Sequence, residues 1–157
     1  MIKAIFTAPK RRAPQQQHTE VTLHADRGIV GDRNYDRQQY PGQNITFVES
    51  EEIAAFNQRF GQSIPWHATR RNVITQGVRL NALEGQRFAI GDVLFEGVEL
   101  CEPCKLLGDD LAGDGLSSAE VVKAFVSRGG LRARILNDGE IREGMSVARL
   151  PEQVSDR

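Results

Sequence analysis

Cys101 and Cys104 stand three positions apart in the stretch Leu100-Cys-Glu-Pro-Cys and are the chain's two thiols. A thiolate is a nucleophile, half of a redox pair or a soft metal ligand, and nearby cations lower its pKa in each role. Lys105 follows directly. Structural zinc wants four nitrogen or sulfur ligands, whereas there is no second C-x-x-C and His18, His24 and His67 lack paired spacing. Two cysteines are too few for a disulfide scaffold. A thioredoxin-like dithiol needs a strand before it and a helix after it, and Lys105-Leu-Leu-Gly-Asp-Asp-Leu is glycine-interrupted and acidic. Inert buried thiols stay open as the bland alternative; a soft ligand or nucleophile leads.

Three arginine-bearing segments accompany the thiols. Arg70-Arg71-Asn72 precedes apolar Val73-Ile74, which puts two fixed cations and an amide at a strand mouth, suited to gripping a phosphate through forked hydrogen bonds. Gly28-x-x-Gly31-Asp32-Arg33 is a glycine-punctuated loop of a kind that can turn backbone N–H groups toward an anion. Arg128-Gly-Gly-Leu-Arg132 joins an expected helix end to an expected strand. A solvated edge and a plain turn are the ordinary alternatives for the first two. With a thiol pair, the set points to an anionic ligand with a soft centre.

The elements that must position these groups are short. Segments of four to eight residues rich in Val, Ile and Phe lie between glycines and prolines, the pattern of strands joined by turns. Strands are expected at 2–7, 20–24, 44–48, 72–75, 87–90, 93–100, 131–136 and 146–150, with Asn137-Asp138-Gly139 as a tight hairpin turn before the last. The thiols then sit where the strand at 93–100 runs into a loop, a common address for function. Ser50 as N-cap, Glu51 and Glu52, the apolar face Ile53, Phe56 and Phe60, and the stop Gly61 announce one helix. Ser117-x-x-Glu120 is a capping-box pattern for a second that closes near Gly129-Gly130. Both are expected to cap a curled, mostly β sheet.

At 157 residues the chain is the size of one domain, expected over 1–150, with a polar, frayed tail at 151–157. Twenty Lys and Arg against twenty-one Asp and Glu give a formal net charge of −1, so no global field draws the protein onto nucleic acid or an anionic membrane. No apolar stretch reaches the roughly 20 residues of a membrane span. The start, MIKAIFTAPKRRAP, has its basic cluster behind a short apolar run rather than before it, so a cytoplasmic address is expected.

Taken in order, Gly28-x-x-Gly31-Asp32-Arg33, Arg70-Arg71-Asn72-Val73, the Ile90-Gly91-Asp92 turn, Leu100-Cys-Glu-Pro-Cys104 and the run from Gly129-Gly130-Leu131-Arg132 through Gly139 to Gly144 resemble a stand-alone MOSC domain. That is the domain at the C-terminal end of eukaryotic molybdenum cofactor sulfurases, and the resemblance spans roughly Ile2 to Leu150. It implies a mostly β, barrel-like fold with a few capping helices and a role around the molybdenum cofactor, a pterin dithiolene carrying a phosphate. By the same resemblance Cys104 is the protein ligand to molybdenum or the carrier of sulfane sulfur, with Cys101 beside it. Arg71 and Asn72, assisted by Arg70, are expected to hold the pterin or its phosphate, with Arg132 in the same set. Asp32 and Arg33 either touch ligand or brace their loop. Met145 departs from the aspartate that many relatives carry after the last turn glycine. The chain also lacks the pyridoxal-phosphate desulfurase domain of the sulfurases. Two functions follow: a small molybdoenzyme reducing N-hydroxylated compounds, which needs a separate electron-donor reductase because the chain has no flavin, haem or iron–sulfur motif; or a non-catalytic carrier fed by a sulfur-donor desulfurase.

Overall fold

A computed structural model describes residues 1–37, 42–113 and 115–151; the expected tail therefore lies outside it, apart from Pro151. Eleven strands are described: β1 (Ile2–Thr7), β2 (Gln16–His18), β3 (Glu20–His24), β4 (Gly28–Ile29), β5 (Ile45–Glu49), β6 (Val73–Thr75), β7 (Arg87–Ile90), β8 (Val93–Leu100), β9 (Leu131–Ile135), β10 (Gly139–Arg142) and β11 (Val147–Arg149). Eight form one curled sheet in the order β11-β7-β8-β9-β5-β6-β1-β2, and β10-β3-β4 form a second. The fold is mostly β and half-barrel-like, as the turn-rich apolar runs imply. Every pairing is antiparallel except β5 with β6. A parallel pair needs a crossover, which α1 (Ser50–Phe60) and a short 3₁₀ turn at Trp66–Thr69 supply. The strands close over a core in which Phe47 meets Phe88 and Phe95 edge-on at 5.6 and 5.7 Å between ring centroids.

A smaller apolar cluster lies among the helices that follow the thiols in the chain. It holds Phe56, Leu107, Leu111, Leu116, Val121 and Phe125, joining α1 to two further helices, α2 (Lys105–Leu111) and α3 (Ser118–Phe125). The sequence reading did not expect α2, because Gly108 interrupts it. Gly108 is there for contact: a Cβ at that position would meet the Ser118 carbonyl oxygen at 2.7 Å, so the glycine lets α2 lie against the start of α3. Ser117 makes the full capping box with Glu120, as its spacing predicts, while Gly61 ends α1 in the left-handed region at φ 61°.

Three other local expectations need correction. Ser50 is the first residue of α1 and not its cap; Glu49 holds the cap position and makes no side-chain capping bond. α3 stops at Phe125, short of Gly129-Gly130. Asn137-Asp138-Gly139 makes no hairpin, since β9 pairs with β8 and β5 while β10 crosses to pair with β3. The two side chains tie the corner down instead: Asn137 Oδ1 accepts from Leu94 N, its Nδ2 donates to Asp92 O, and Asp138 Oδ1 accepts from Ala25 N.

Candidate functional site

β8 ends at Leu100 and hands the chain to Cys101, two further residues follow, and Cys104 is the last residue before α2. The two sulfurs have opposite settings. Cys101 is 4% exposed, and burial pushes its thiol above the ordinary value although the Arg71 and Arg132 guanidiniums pull the other way. Its backbone N–H donates to Gly130 O at 2.8 Å. Cys104 is exposed and opens into a recess of about 110 Å³ whose wall includes Arg33, Arg70, Arg71, Leu107 and Asp110.

A second recess of about 80 Å³ uses the same Arg33, Arg70 and Arg71 and adds Arg37, Thr46 and Arg132. Three guanidiniums therefore stand between the exposed thiol and a cleft lined almost wholly by polar groups. Two of the three, Arg70 and Arg71, are fixed from behind, as is Arg132 in the cleft. Arg70, in the left-handed region at φ 60°, donates from Nη2 to Ala13 O at 2.8 Å. Arg71 donates from Nε to Gly129 O at 2.8 Å, and Arg132 pairs with Glu99 at 3.1 Å. Arg33 is the crowded member: burial, reinforced by the charges of Arg70, Arg37 and Arg11, pushes its pKa below the ordinary value against the pull of Asp32. An anion in the recess would relieve that repulsion.

Gly129 and Gly130 serve this arrangement by close approach. A Cβ on Gly129 would run into the carbonyl oxygen of Cys101, and one on Gly130, at φ 107°, into that of Phe47. The pair thus brings the strand carrying Arg132, the carbonyl that holds Arg71 and the end of β8 into one place.

Not every expected site residue faces the recess. Asn72 is 4% exposed and its amide is spent inside the fold: Oδ1 accepts from Thr46 N and Oγ1 at 3.0 and 3.1 Å, and Nδ2 donates to Phe6 O at 3.1 Å. Asp32 is buried and braces its loop, accepting from Ala8 N at 3.1 Å and from Asn34 N at 3.2 Å. Three backbone amides of that loop are used as well, Val30, Asp32 and Arg33 donating to Thr22, Ile29 and Ala8, and Arg33 is the side chain that the loop brings to both recess walls. Cys101 is not part of either recess wall. Arg11, Arg12 and Arg37 line the recesses without having been singled out. The Lys10-Arg11-Arg12 run and the spacing of Arg37 from Arg33 were the available signals, since both lie in turns next to the expected strands.

The MOSC domain family model matches residues 34–148, most of the chain. The protein belongs to the MOSC domain family, which is associated with the molybdenum cofactor. Similar solved structures include YuaD from Bacillus subtilis, at TM-score 0.83 and 16% identity over 97% of this chain and 96% of that one. YiiM from Escherichia coli gives 0.70 and 17% over 99% and 71%, and YiiM from Geobacillus stearothermophilus 0.71 and 15% over 96% and 76%. At these identities the likeness shows the fold. A comparison with curated protein sequences finds no match. Among the described residues no helix is long and apolar enough to cross a membrane, and no cluster of three His, Cys, Asp or Glu side chains could hold a metal ion. For this MOSC domain the donor chemistry still fits the family's cofactor: an accessible sulfur suits a soft metal, and fixed guanidiniums suit a phosphate.

Proposed function

We propose that this MOSC domain holds the molybdenum cofactor through Cys104 and the guanidiniums of Arg33, Arg70, Arg71 and Arg132, and that it reduces N-hydroxylated compounds with electrons from a separate reductase. The observation that carries the reading is the shared wall: the exposed thiol opens between the same three arginines that line the polar cleft. The cofactor, when bound, supplies the two-electron chemistry. The chain's own residues do the rest. Cys104 supplies a polarizable ligand at an accessible position, Arg70 and Arg71 hold the anionic tail from tethered positions, and Asp32 keeps the Arg33 loop in place.

The exposure of Cys104 also favours a second reading, a carrier that hands sulfur or cofactor onward, because thiol exchange needs an accessible sulfur. Elemental and sulfur analysis after gentle purification, with a turnover assay, separates the two: molybdenum together with reduction of an N-hydroxylated compound supports the first, and cyanide-releasable sulfur, or molybdenum without turnover, the second. The shared premise is tested by loading Cys104→Ser and Cys101→Ser with cofactor. Loading is expected to be abolished in the first and only weakened in the second; equal loss, or no loss, would count against the assignment.

A further inference from the structure

On the far side of the ion pair between Arg12 and Asp110 lies a third and wider recess of about 370 Å³, whose wall includes Pro14, Gln15, His67, Ala68, Arg70 and Leu111. It shares Arg12, Arg70 and Asp110 with the recess that holds Cys104, so the pair stands as a partition between the two. The contact is two-pronged, Nη1 to Oδ2 and Nη2 to Oδ1, both at 3.2 Å. It joins the segment between β1 and β2 to α2. Arg12 reaches it from a left-handed backbone at φ 69°, and the same segment is held again by Arg70 at Ala13.

The lining fixes the ligand class. Asp110 offsets Arg12, which leaves Arg70 as the surplus cation of the recess in the cofactor-free chain, with the His67 ring and the Gln15 amide as further polar groups. Pro14, Ala68 and Leu111 give one apolar side. A site with a surplus guanidinium, polar edges and an apolar wall selects a small organic anion with a flat apolar body. We infer that this outer recess is a binding site for a small carboxylate-bearing compound, and that the balance between Arg12 and Asp110 sets its charge preference. Calling that compound the substrate rests on the function proposed above; its binding does not.

The test uses the cofactor-free full chain and three ligands of one shape: benzoate, benzamide and benzamidine. Each is titrated by ¹H–¹⁵N NMR, following the backbone amides of Ala68, Arg70 and Leu111. Benzoate is expected to move these amides and to bind at least about fivefold tighter than benzamide, the scale of one partly exposed charge pair, with benzamidine weakest. Arg12→Gln leaves Asp110 unopposed and should weaken benzoate about fivefold, while Asp110→Asn frees Arg12 and should strengthen it by a similar factor. Both residues are partly exposed, so folding is not at stake. Benzamidine binding as well as benzoate, shifts elsewhere in the chain, or two variants that move affinity the same way would overturn the proposal. Cys104→Ser separates the two readings: benzoate should bind it unchanged even where cofactor loading fails, and a loss of benzoate binding there would overturn the independence of the outer recess.

Discussion

Asn72 and Arg71 are neighbours at the entrance to β6, and they do opposite work. Successive side chains of an extended segment point to opposite sides, so one of the two must turn inward. Asn72 does, and its amide links Thr46 on β5 to Phe6 on β1, the two strands that flank β6. Arg71 keeps its guanidinium at the recess wall. Replacing Asn72 by Ala leaves the Thr46 N–H and the Phe6 carbonyl buried without partners, each costing about 1–3 kcal/mol. Asn72→Ala is therefore expected to lower unfolding free energy by roughly 3 kcal/mol in urea titrations, and Arg71→Gln to leave it within about 0.5–1 kcal/mol while weakening anion binding. A stable Asn72→Ala protein that has lost its cofactor would return Asn72 to the ligand side. Cys101 is the matching case among the thiols. Its sulfur is packed away at the end of β8, so Cys101→Ala should react with thiol reagents as fast as the parent chain, whereas Cys104→Ala should lose the reaction.

At the scale of elements, eight of the strands were legible because their apolar runs are short and bounded by turn residues, and β1, β3, β7 and β8 have the boundaries that the sequence predicts. The short β2 and β4, and β10 with its charged residues, carry no such run and were not expected. Ser117 and Gly61 were legible because a capping box and a left-handed stop are local chemistry. The misreadings depend on contacts between distant parts of the chain. Gly108 looks like a helix breaker until α3 is laid against it. Asn137-Asp138-Gly139 looks like a hairpin until the chain leaves one sheet for the other. The junction of β5 and α1 shows the same limit and allows a prediction. The sequence points to Ser50 as the cap, but Glu49 holds that position and its carboxylate accepts from Leu80 N at 3.3 Å instead of capping the helix. There burial, added to the charge of Glu52, raises its pKa above the ordinary 4.5, with the Leu80 bond and Arg79 opposing. The folded chain then binds a proton that the unfolded chain has released, so this group's contribution falls as pH rises from about 4.5 through the raised folded value. Glu49→Gln keeps an acceptor for Leu80 and removes the charge. Thermal melts should show it more stable than the parent at pH 7 and equal at pH 4; a variant less stable at pH 7 would mean that the carboxylate is needed as a charge.

For the whole molecule, a net charge of −1 hides a steep local imbalance. Arg33, Arg37, Arg70, Arg71 and Arg132 share one small cleft, while carboxylates such as Glu20, Glu96 and Asp36 pair with arginines elsewhere on the surface. Charges of one sign held in a recess repel one another and focus the field on whatever enters. An anion that binds the folded cleft and not the unfolded chain must then stabilise the fold by mass action. Pyrophosphate is a suitable probe, because it carries the anionic chemistry without a pterin. At ten times its Kd the gain is about 1.4 kcal/mol, a rise of roughly 3–5 °C in melting temperature for a chain of this size. Sodium chloride at equal ionic strength should give less, since it screens the cluster without bridging its members. Arg33→Gln makes the expectation sharper. Arg33 is the member that its neighbours and its burial most disfavour as a cation, so the variant should melt no lower than the parent in plain buffer and should lose most of the pyrophosphate gain. Reading the two melts together separates a binding cleft from a merely basic surface: if chloride matches pyrophosphate, or if Arg33→Gln keeps the full gain, the arginines are a solvated edge and the thiol beside them has no anionic ligand to share.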